Sequence, residues 1–176
     1  MNNQRKNQTN MLVKECMVTA LMKLLKEKPL STISISELTK KAGVSRMTYY
    51  RNYHTKEDIL VSHLEDILED YKKDAESSSL SKNYYDMENL IHAFSYFKKH
   101  NEFLQTLFQS GFGHTFLDAV TGCIIEKWHK PGDSMEHYYT LQAFAGAMYN
   151  LYISWSLTDS KETPQKMAQI LYGIYK

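Results

Sequence analysis

Apolar residues recur along this chain at the three- and four-residue steps of α-helices, and no segment shows the strict alternation of a half-buried strand. The first such stretch spans residues 9–27 and ends before Pro29, which cannot continue a helix. Its inward face is predicted to carry Leu12, Cys16, Met17, Ala20, Leu21, Leu24 and Leu25. The pattern therefore predicts an all-α chain that opens with a long amphipathic helix.

A second, shorter helix is predicted to begin at Ser34 and to end at Gly43. The Ser34 hydroxyl can accept a hydrogen bond from the first turn, and Glu37, three residues on, can reach back to the Ser34 amide. Leu38 and Ala42 lie one turn apart and are expected to face inward.

A tight turn is predicted to join this helix to a third one. Gly43 can adopt the left-handed backbone that ends a helix, and Val44 is the apolar plug of the turn. Ser45 can cap the next helix, from Arg46 to Tyr53. The local residues thus predict two short helices joined by a glycine turn.

The fourth helix is predicted to begin at Thr55 and to reach about Glu76. Its first turn holds Glu57 and Asp58, which suit the positive end of a helix dipole. The polar run at residues 77–82 is the clearest linker-like break after it. We therefore predict an N-terminal head, residues 1–58, and a C-terminal body, residues 59–176.

The body is predicted to hold several more helices, rich in aromatic residues. Gly111 and Gly113 follow the second of these segments, and Pro131 and Gly132 close the third. The segments cover residues 85–100, 102–109, 115–130, 136–158 and 163–176. The chain is thus expected to have about nine helices, with a three-helix head joined by a long helix to a helical bundle.

Charge is distributed unevenly along the 176 residues. Residues 1–56 hold 11 Lys and Arg against three acids, a formal charge of +8, and the other 120 residues hold 10 bases against 17 acids, a charge of −7. A basic head on an acidic body is expected of a protein that brings only its head to nucleic acid.

The sequence offers no constellation for catalysis or metal binding. Its seven histidines form neither an HExxH helix nor a Cys–His set at zinc spacing, and no phosphate-binding glycine loop is present. Cys16 and Cys123 lie in apolar patterns and are expected to be reduced, buried thiols. We expect no enzyme activity, no metal and no cofactor. No signal peptide or run of 18 apolar residues is visible, so a cytoplasmic protein without a membrane partner is expected.

The order of helix, capped short helix, glycine turn and second short helix is typical of helix-turn-helix DNA readers. One helix crosses the phosphates while the next lies in the major groove, with its N-terminal side chains at base edges. Arg46 can bond a guanine, and Met47 and Thr48 can contact a thymine methyl. The alternative, a packing element without a DNA role, gives no reason for Arg46, Lys56 and the +8 charge.

These residues resemble the TetR (tetracycline-repressor) family of bacterial transcription regulators. Its heads typically combine an Ala-Gly-Val-Ser turn, a threonine, a paired aromatic-tyrosine and a Lys-Glu start to helix four. This chain matches through Ala42, Gly43, Val44, Ser45, Thr48, Tyr49, Tyr50, Tyr53, Lys56 and Glu57. It departs at Tyr53, where the family usually has phenylalanine. The resemblance covers residues 9–70, and the short body resembles Gram-positive members.

The resemblance implies a role for each residue of the head. Base contacts would come from Arg46, Met47 and Thr48, and phosphate contacts from Tyr50, Arg51, Asn52 and Lys56. The helix-turn-helix itself would be built by Ser34, Glu37, Leu38, Ala42, Gly43, Val44, Ser45, Tyr49 and Tyr53, with Tyr49 and Tyr53 pointing into the small core.

The family places a homodimer interface on its last two helices. Small residues at steps that allow close helix approach, together with apolar residues of the last helix, form the predicted interface: Ala143, Gly146, Ala147, Asn150, Met167, Ile170, Leu171 and Ile174. A dimer would bring two recognition helices to half-sites roughly 34–36 Å apart.

The aromatic residues of the body have two interpretations, plain core or the lining of an effector pocket such as the family carries. They are Phe94, Phe97, Phe108, Phe112, Phe116, Tyr149, Tyr152 and Trp155, together with Met148. We expect a homodimeric repressor on a palindromic operator, controlled by a small-molecule effector. The alternative is a DNA-binding activator or co-regulator controlled by a protein partner through the body, like a short family member that activates dihydroxyacetone kinase genes.

Overall fold

The computed structural model describes residues 2–78, 83–158 and 160–175, with side chains from Asn10 onward. Over these residues the chain forms nine α-helices and no strand, which confirms the predicted all-α class. The helices are α1 (Asn2–Leu25), α2 (Ile35–Ala42), α3 (Arg46–Asn52), α4 (Glu57–Ser77), α5 (Met87–Lys99), α6 (Asn101–Gln109), α7 (Gly113–Trp128), α8 (Met135–Leu157) and α9 (Pro164–Tyr175).

The chain packs as two compact units that divide inside α4. The first is Met1–Asp66 and the second is Ile67–Lys176, and these units are called the head and the body from here on. The predicted boundary at residue 58 lies in the first turn of α4, so the start of this helix packs with the head. The predicted linker at 77–82 begins at the last residue of α4, and residues 79–82 lie outside the described residues.

The core of the head is closed by α1, α2, α3 and the start of α4. The predicted inward face of α1 is right from Met17 to Leu24, but Leu12 is exposed and Cys16 is half-buried. α1 has 24 residues and α2 has eight, roughly 36 Å against 12 Å of helix. Periodicity shows which face of a helix is apolar, but it does not show which turns have a partner.

In the body, α5 packs mainly along α9, and α7 along α8. Gly111, at φ +86°, follows the end of α6, as the sequence predicts. Gly113 instead opens α7, where a Cβ atom would lie 2.6 Å from the Tyr149 hydroxyl oxygen. This glycine is needed for the close approach of α7 to α8 and not to stop a helix.

None of the helices in the described part of the chain combines the length and the apolar composition that crossing a membrane needs.

Candidate functional site

The turn between α2 and α3 is held by hydrogen bonds between near neighbours. The Ser34 hydroxyl accepts from the Glu37 amide at 3.2 Å, and the Ser45 hydroxyl accepts from the Thr48 amide at 3.0 Å. Gly43 has φ +69°, a left-handed backbone that favours glycine. Both caps and the glycine turn therefore lie where the sequence predicts them.

Glu37 ties α2 to the end of α1. Its carboxylate accepts from the Lys28 ammonium at 2.7 Å, an ion pair between segments that no local pattern reveals. The hydrogen bond from Lys28 lowers the pKa of Glu37, and the backbone amide of Ser34 adds to this effect, in keeping with the predicted capping box. Two contacts of Glu37 therefore hold the first turn of α2 in place, the ion pair with Lys28 and the hydrogen bond with Ser34.

The side chains of α3 divide between the core of the head and solvent. Tyr49 is fully buried. Tyr53, just after the helix, is buried to within 5%, and burial raises the pKa of its phenol to about 12. Met47 is 78% exposed and Tyr50 is 58% exposed. Both side chains are thus free to contact an outside partner. The exposed side of α3 consists of Arg46, Met47, Tyr50 and Arg51.

Arg46 reaches across the turn to α2. Its Nη2 atom donates to the Ser36 hydroxyl oxygen at 2.7 Å, and both side chains are exposed. A guanidinium has five N–H donors, so this bond orients Arg46 and leaves donors for an outside acceptor. Ser36 was not predicted as a site residue because the contact joins two helices, and no local pattern reveals it.

Asn52 lies at the end of α3, half-buried. Its side-chain amide donates to the Thr48 carbonyl at 2.7 Å, within the same helix. One N–H group and the amide oxygen remain to contact phosphate, so the predicted role for Asn52 stays a prediction.

Lys56 does not present the exposed ammonium that the resemblance implied. Its Nζ atom donates to the carbonyl oxygens of Leu30 and Ile33 at 2.6 and 2.7 Å, in the turn before α2. Just before α4, the amides of His54 and Thr55 donate to the Asp58 carboxylate at 2.8 Å, and the Asp58 amide donates to the Thr55 hydroxyl at 3.2 Å. This reciprocal pair is a capping box. The two carbonyl bonds make Lys56 a brace between α4 and the turn. They leave one of its three N–H groups, so its phosphate contact stays a prediction.

Replacing Lys56 by methionine, which keeps the stem and removes the ammonium, is expected to destabilise the head by about 1 kcal/mol, because two carbonyls lose a charged donor. Urea unfolding followed by circular dichroism measures this change. Lys40→Met, at an exposed position of α2, removes the same charge and is expected to have no effect. Unchanged stability with a shallower salt dependence of DNA binding would instead show that Lys56 acts mainly on phosphate.

The predicted aromatic pocket is core in this structure. Phe94, Phe97, Phe116, Tyr152 and Trp155 are all buried. Six of the nine predicted residues surround a space of only about 10 Å³, room for about one water molecule: Phe94, Phe97, Phe116, Met148, Tyr149 and Tyr152. Phe108 packs edge-on against Tyr149, and Phe112 is half-buried next to α7. The rings fill one another's space, so helical spacing alone did not distinguish core from cavity.

A larger cavity lies elsewhere in the body, where α4, α5, α7 and α8 meet. Its volume is about 330 Å³, and Met148 is the one residue that it shares with the predicted pocket. Its wall is largely aromatic and apolar, with charged groups among the lining: Tyr71, Tyr84, Leu90, Ala93, Cys123, Ile124, Trp128, Phe144 and Met148, with Lys72, Glu76, Glu126, Lys127 and Lys130.

The predicted dimer residues divide into two groups. Met167 and Leu171 are buried in the body, so these two are corrected from interface to core. Ala143 and Asn150 are exposed, Gly146 and Ala147 are half-buried, and Ile170 and Ile174 are 42% and 66% exposed. Met135, Tyr139 and Leu157 add exposed apolar area on α8. α8 and α9 therefore each carry an apolar face in contact with solvent.

Solved structures of similar fold are known. The Listeria innocua protein Lin0861 superposes with a TM-score of 0.79 at 18% identity, covering 96% of this chain and 91% of its own. The dihydroxyacetone kinase operon activator DhaS gives 0.61 at 18%, covering 93% and 94%. FadR from Bacillus subtilis, in complex with stearoyl-CoA, gives 0.60 at 18%, covering 91% and 96%. At such identities the likeness is one of fold.

The sequence itself matches a protein family in its C-terminal half. None of the curated protein sequences matches the chain. The TetR family model described as a transcriptional regulator C-terminal region matches residues 86–176. Because this match takes in more than half of the chain, the protein belongs to the TetR family of DNA-binding transcriptional regulators.

Proposed function

We propose that this protein is a homodimeric repressor that binds a palindromic operator through α3 and is released by a small-molecule effector bound in the body. The observation that carries the DNA-binding part is the exposed face of α3. Arg46, oriented by Ser36, would bond a guanine edge, and exposed Met47 would contact a thymine methyl group. Thr48 is half-buried with its hydroxyl 2.9 Å from that of Ser45, which leaves its methyl group for the same kind of contact.

Phosphate contacts are assigned to the flank of the same helix. Tyr50 and Arg51 are exposed there, and Asn52 keeps one N–H group and its amide oxygen for such a contact. The electrostatics of the head support this assignment. Lys14, Lys28 and Lys41 are paired with acids of the head, so the surplus positive charge of the head rests on other side chains, which include exposed Arg46 and Arg51.

The exposed apolar faces of α8 and α9 support the dimer. Ile174, Met135 and Tyr139 each leave more than half of the side chain in water, which costs free energy in a monomer. The small residues Ala143, Gly146 and Ala147 on α8 would let a second copy approach closely. We assign this surface, without Met167 and Leu171, to the contact between two copies.

Replacing Ile174 by glutamate is expected to weaken dimerisation about tenfold or more, because a charge would be buried in an apolar contact. Sedimentation equilibrium over a range of protein concentrations measures the association. Met11→Glu, an equally exposed apolar position in the head, is the matched control and is expected to leave association unchanged. Unchanged dimerisation of the Ile174 variant would show that the interface lies on another surface.

Control by a small molecule is supported by the cavity in the body. Its volume of about 330 Å³ lies at the lower end of the roughly 300–1,000 Å³ range of ligand pockets. The FadR protein of similar fold was crystallised with stearoyl-CoA, which shows that this fold accommodates a ligand in that protein. The fold is also that of an operon activator, DhaS, which supports the alternative of activation.

The test of the proposed function is selection of bound fragments from random double-stranded DNA with the full-length protein. A palindromic site with two half-sites about one helical turn or a multiple of it apart is expected, since a symmetric dimer reads symmetric DNA. Transcription in vitro from a promoter carrying that site then separates repression from activation. Recovery of unrelated fragments would contradict a sequence-specific reader.

A further inference from the structure

We propose that the 330 Å³ cavity of the body binds a small monocarboxylate with a compact apolar part, and that its carboxylate takes Lys72 away from Glu126. The inference rests on the proposed function, since it names the chemical class of the effector and the contact through which it acts. It follows from the size of the cavity, its wall, its charges and one ion pair.

The wall of the cavity selects a compact apolar group. The ring centroids of Tyr84 and Phe144 lie 4.7 Å apart in an edge-to-face arrangement, and Tyr84 is 6.4 Å from Trp128. Burial raises the pKa of the Cys123 thiol, so this lining group is neutral at neutral pH. Apolar area removed from water stabilises a bound ligand by roughly 25 cal/mol per Å², which makes such a wall the source of affinity.

The charged groups of the cavity favour an anion. Three lysines, Lys72, Lys127 and Lys130, lie among its lining residues against two acids, Glu76 and Glu126. Lys127 is placed over the Trp128 ring, 5.0 Å from its centroid, and so stays close to the aromatic wall. These five side chains carry a net formal charge of +1, which makes a carboxylate the complementary group.

Lys72 is the cation best placed to respond. Its ammonium lies 2.5 Å from the Glu126 carboxylate, which joins α4 to α7. The Glu126 side chain is 69% exposed, so water can replace Lys72 as its partner at little cost. The Lys72 side chain is 38% exposed and also lines the cavity, so a carboxylate there would meet it beside the apolar wall through a charge-assisted hydrogen bond. Replacing the Lys72–Glu126 ion pair by an ion pair between Lys72 and the ligand is therefore expected to be favourable.

Lys72, whose partner would change, lies on α4, and this helix belongs to both the head and the body. α4 runs from Glu57 to Ser77, with its first ten residues in the head and the remainder in the body, where Tyr71, Lys72 and Ala75 line the cavity. A ligand that breaks the bond between α4 and α7 acts directly on this helix. Occupancy of the cavity thereby changes DNA binding.

Isothermal titration of the full-length protein with benzoate and hexanoate, each against its uncharged amide, tests this inference. Both acids are expected to bind at least about tenfold more tightly than benzamide and hexanamide, and operator affinity measured by fluorescence anisotropy is expected to fall as they saturate the protein. Lys72→Met is expected to abolish the preference for the acids. Lys73→Met is the matched control, since Lys73 does not line the cavity and instead pairs with Glu69 and Asp70.

Equal binding of acids and amides, or a preference that survives Lys72→Met, overturns the inference. Cys123→Phe, which fills the cavity, is expected to abolish acid binding while the thermal unfolding transition is kept. Absence of acid binding in a protein that still binds its operator overturns the inference alone, whereas a protein that binds the acids and no DNA contradicts the proposed function.

Discussion

Replacing Arg46 by alanine is expected to weaken binding to the selected operator by about 1–3 kcal/mol, roughly 5- to 150-fold, and to relax base preference at one position of each half-site. The reason is geometric: Arg46 is exposed at the first position of α3 and is oriented by the Ser36 hydroxyl at 2.7 Å. A planar, oriented guanidinium can bond both acceptors of a guanine edge. Fluorescence anisotropy with the operator and with each single-base variant measures the change.

Two further variants separate base reading from charge. Lys23→Ala removes the same charge from an exposed position of α1 and is expected to leave base preference intact. Ser36→Ala is expected to give a smaller loss on the operator than Arg46→Ala, because the guanidinium stays but is no longer oriented. An equal loss on every DNA sequence for Arg46→Ala would show that this side chain contacts phosphate alone.

Replacing Phe116 by alanine is expected to lower the free energy of unfolding by about 3–5 kcal/mol, the largest effect predicted for a single side chain of this protein. Phe116 is 2% exposed, and its ring lies 5.5 Å from Phe97, 5.6 Å from Phe108 and 5.9 Å from Tyr152. Removing the ring leaves a cavity that these neighbours cannot fill without leaving their rotamers. Urea unfolding of the full-length protein measures the loss.

The same variant decides between core and effector pocket for the aromatic cluster. Met47→Ala, at a position 78% exposed, is the control and is expected to change stability by less than about 0.5 kcal/mol. A stable Phe116 variant with altered binding of the carboxylates would show that these rings line a ligand site. A destabilised variant whose Lys72-dependent binding persists places the ligand in the larger cavity.

The helix-turn-helix is the part that could be predicted most fully. Ser34, Gly43 and Ser45 act on residues within four positions of themselves, through a hydrogen bond to a near amide or through a backbone angle. Such contacts depend on adjacent residues alone. Tyr49 was placed inward from the same short segment, and it is fully buried.

Contacts between distant segments could not be predicted from local sequence. The Lys56 ammonium bonds carbonyl oxygens 23 and 26 residues earlier, and no local pattern shows these contacts. Leu12 was placed on the same apolar face of α1 as Leu24, yet it is 60% exposed whereas Leu24 is buried. The Lys56 contacts and the exposure of Leu12 both depend on how the helices of the head pack together.

Local spacing and composition were enough to predict the all-α class, the nine helices of the described residues, the capped turn before α3 and the positive charge of residues 1–56. Which apolar residues are buried depends instead on how the helices pack. Met167 and Leu171 lie in the core while Ile174 is exposed. The predicted aromatics enclose almost no space, and the cavity lies beside Lys72. One apolar stripe on a helix suits a core, a cavity or an interface equally well, and only packing against other helices distinguishes them.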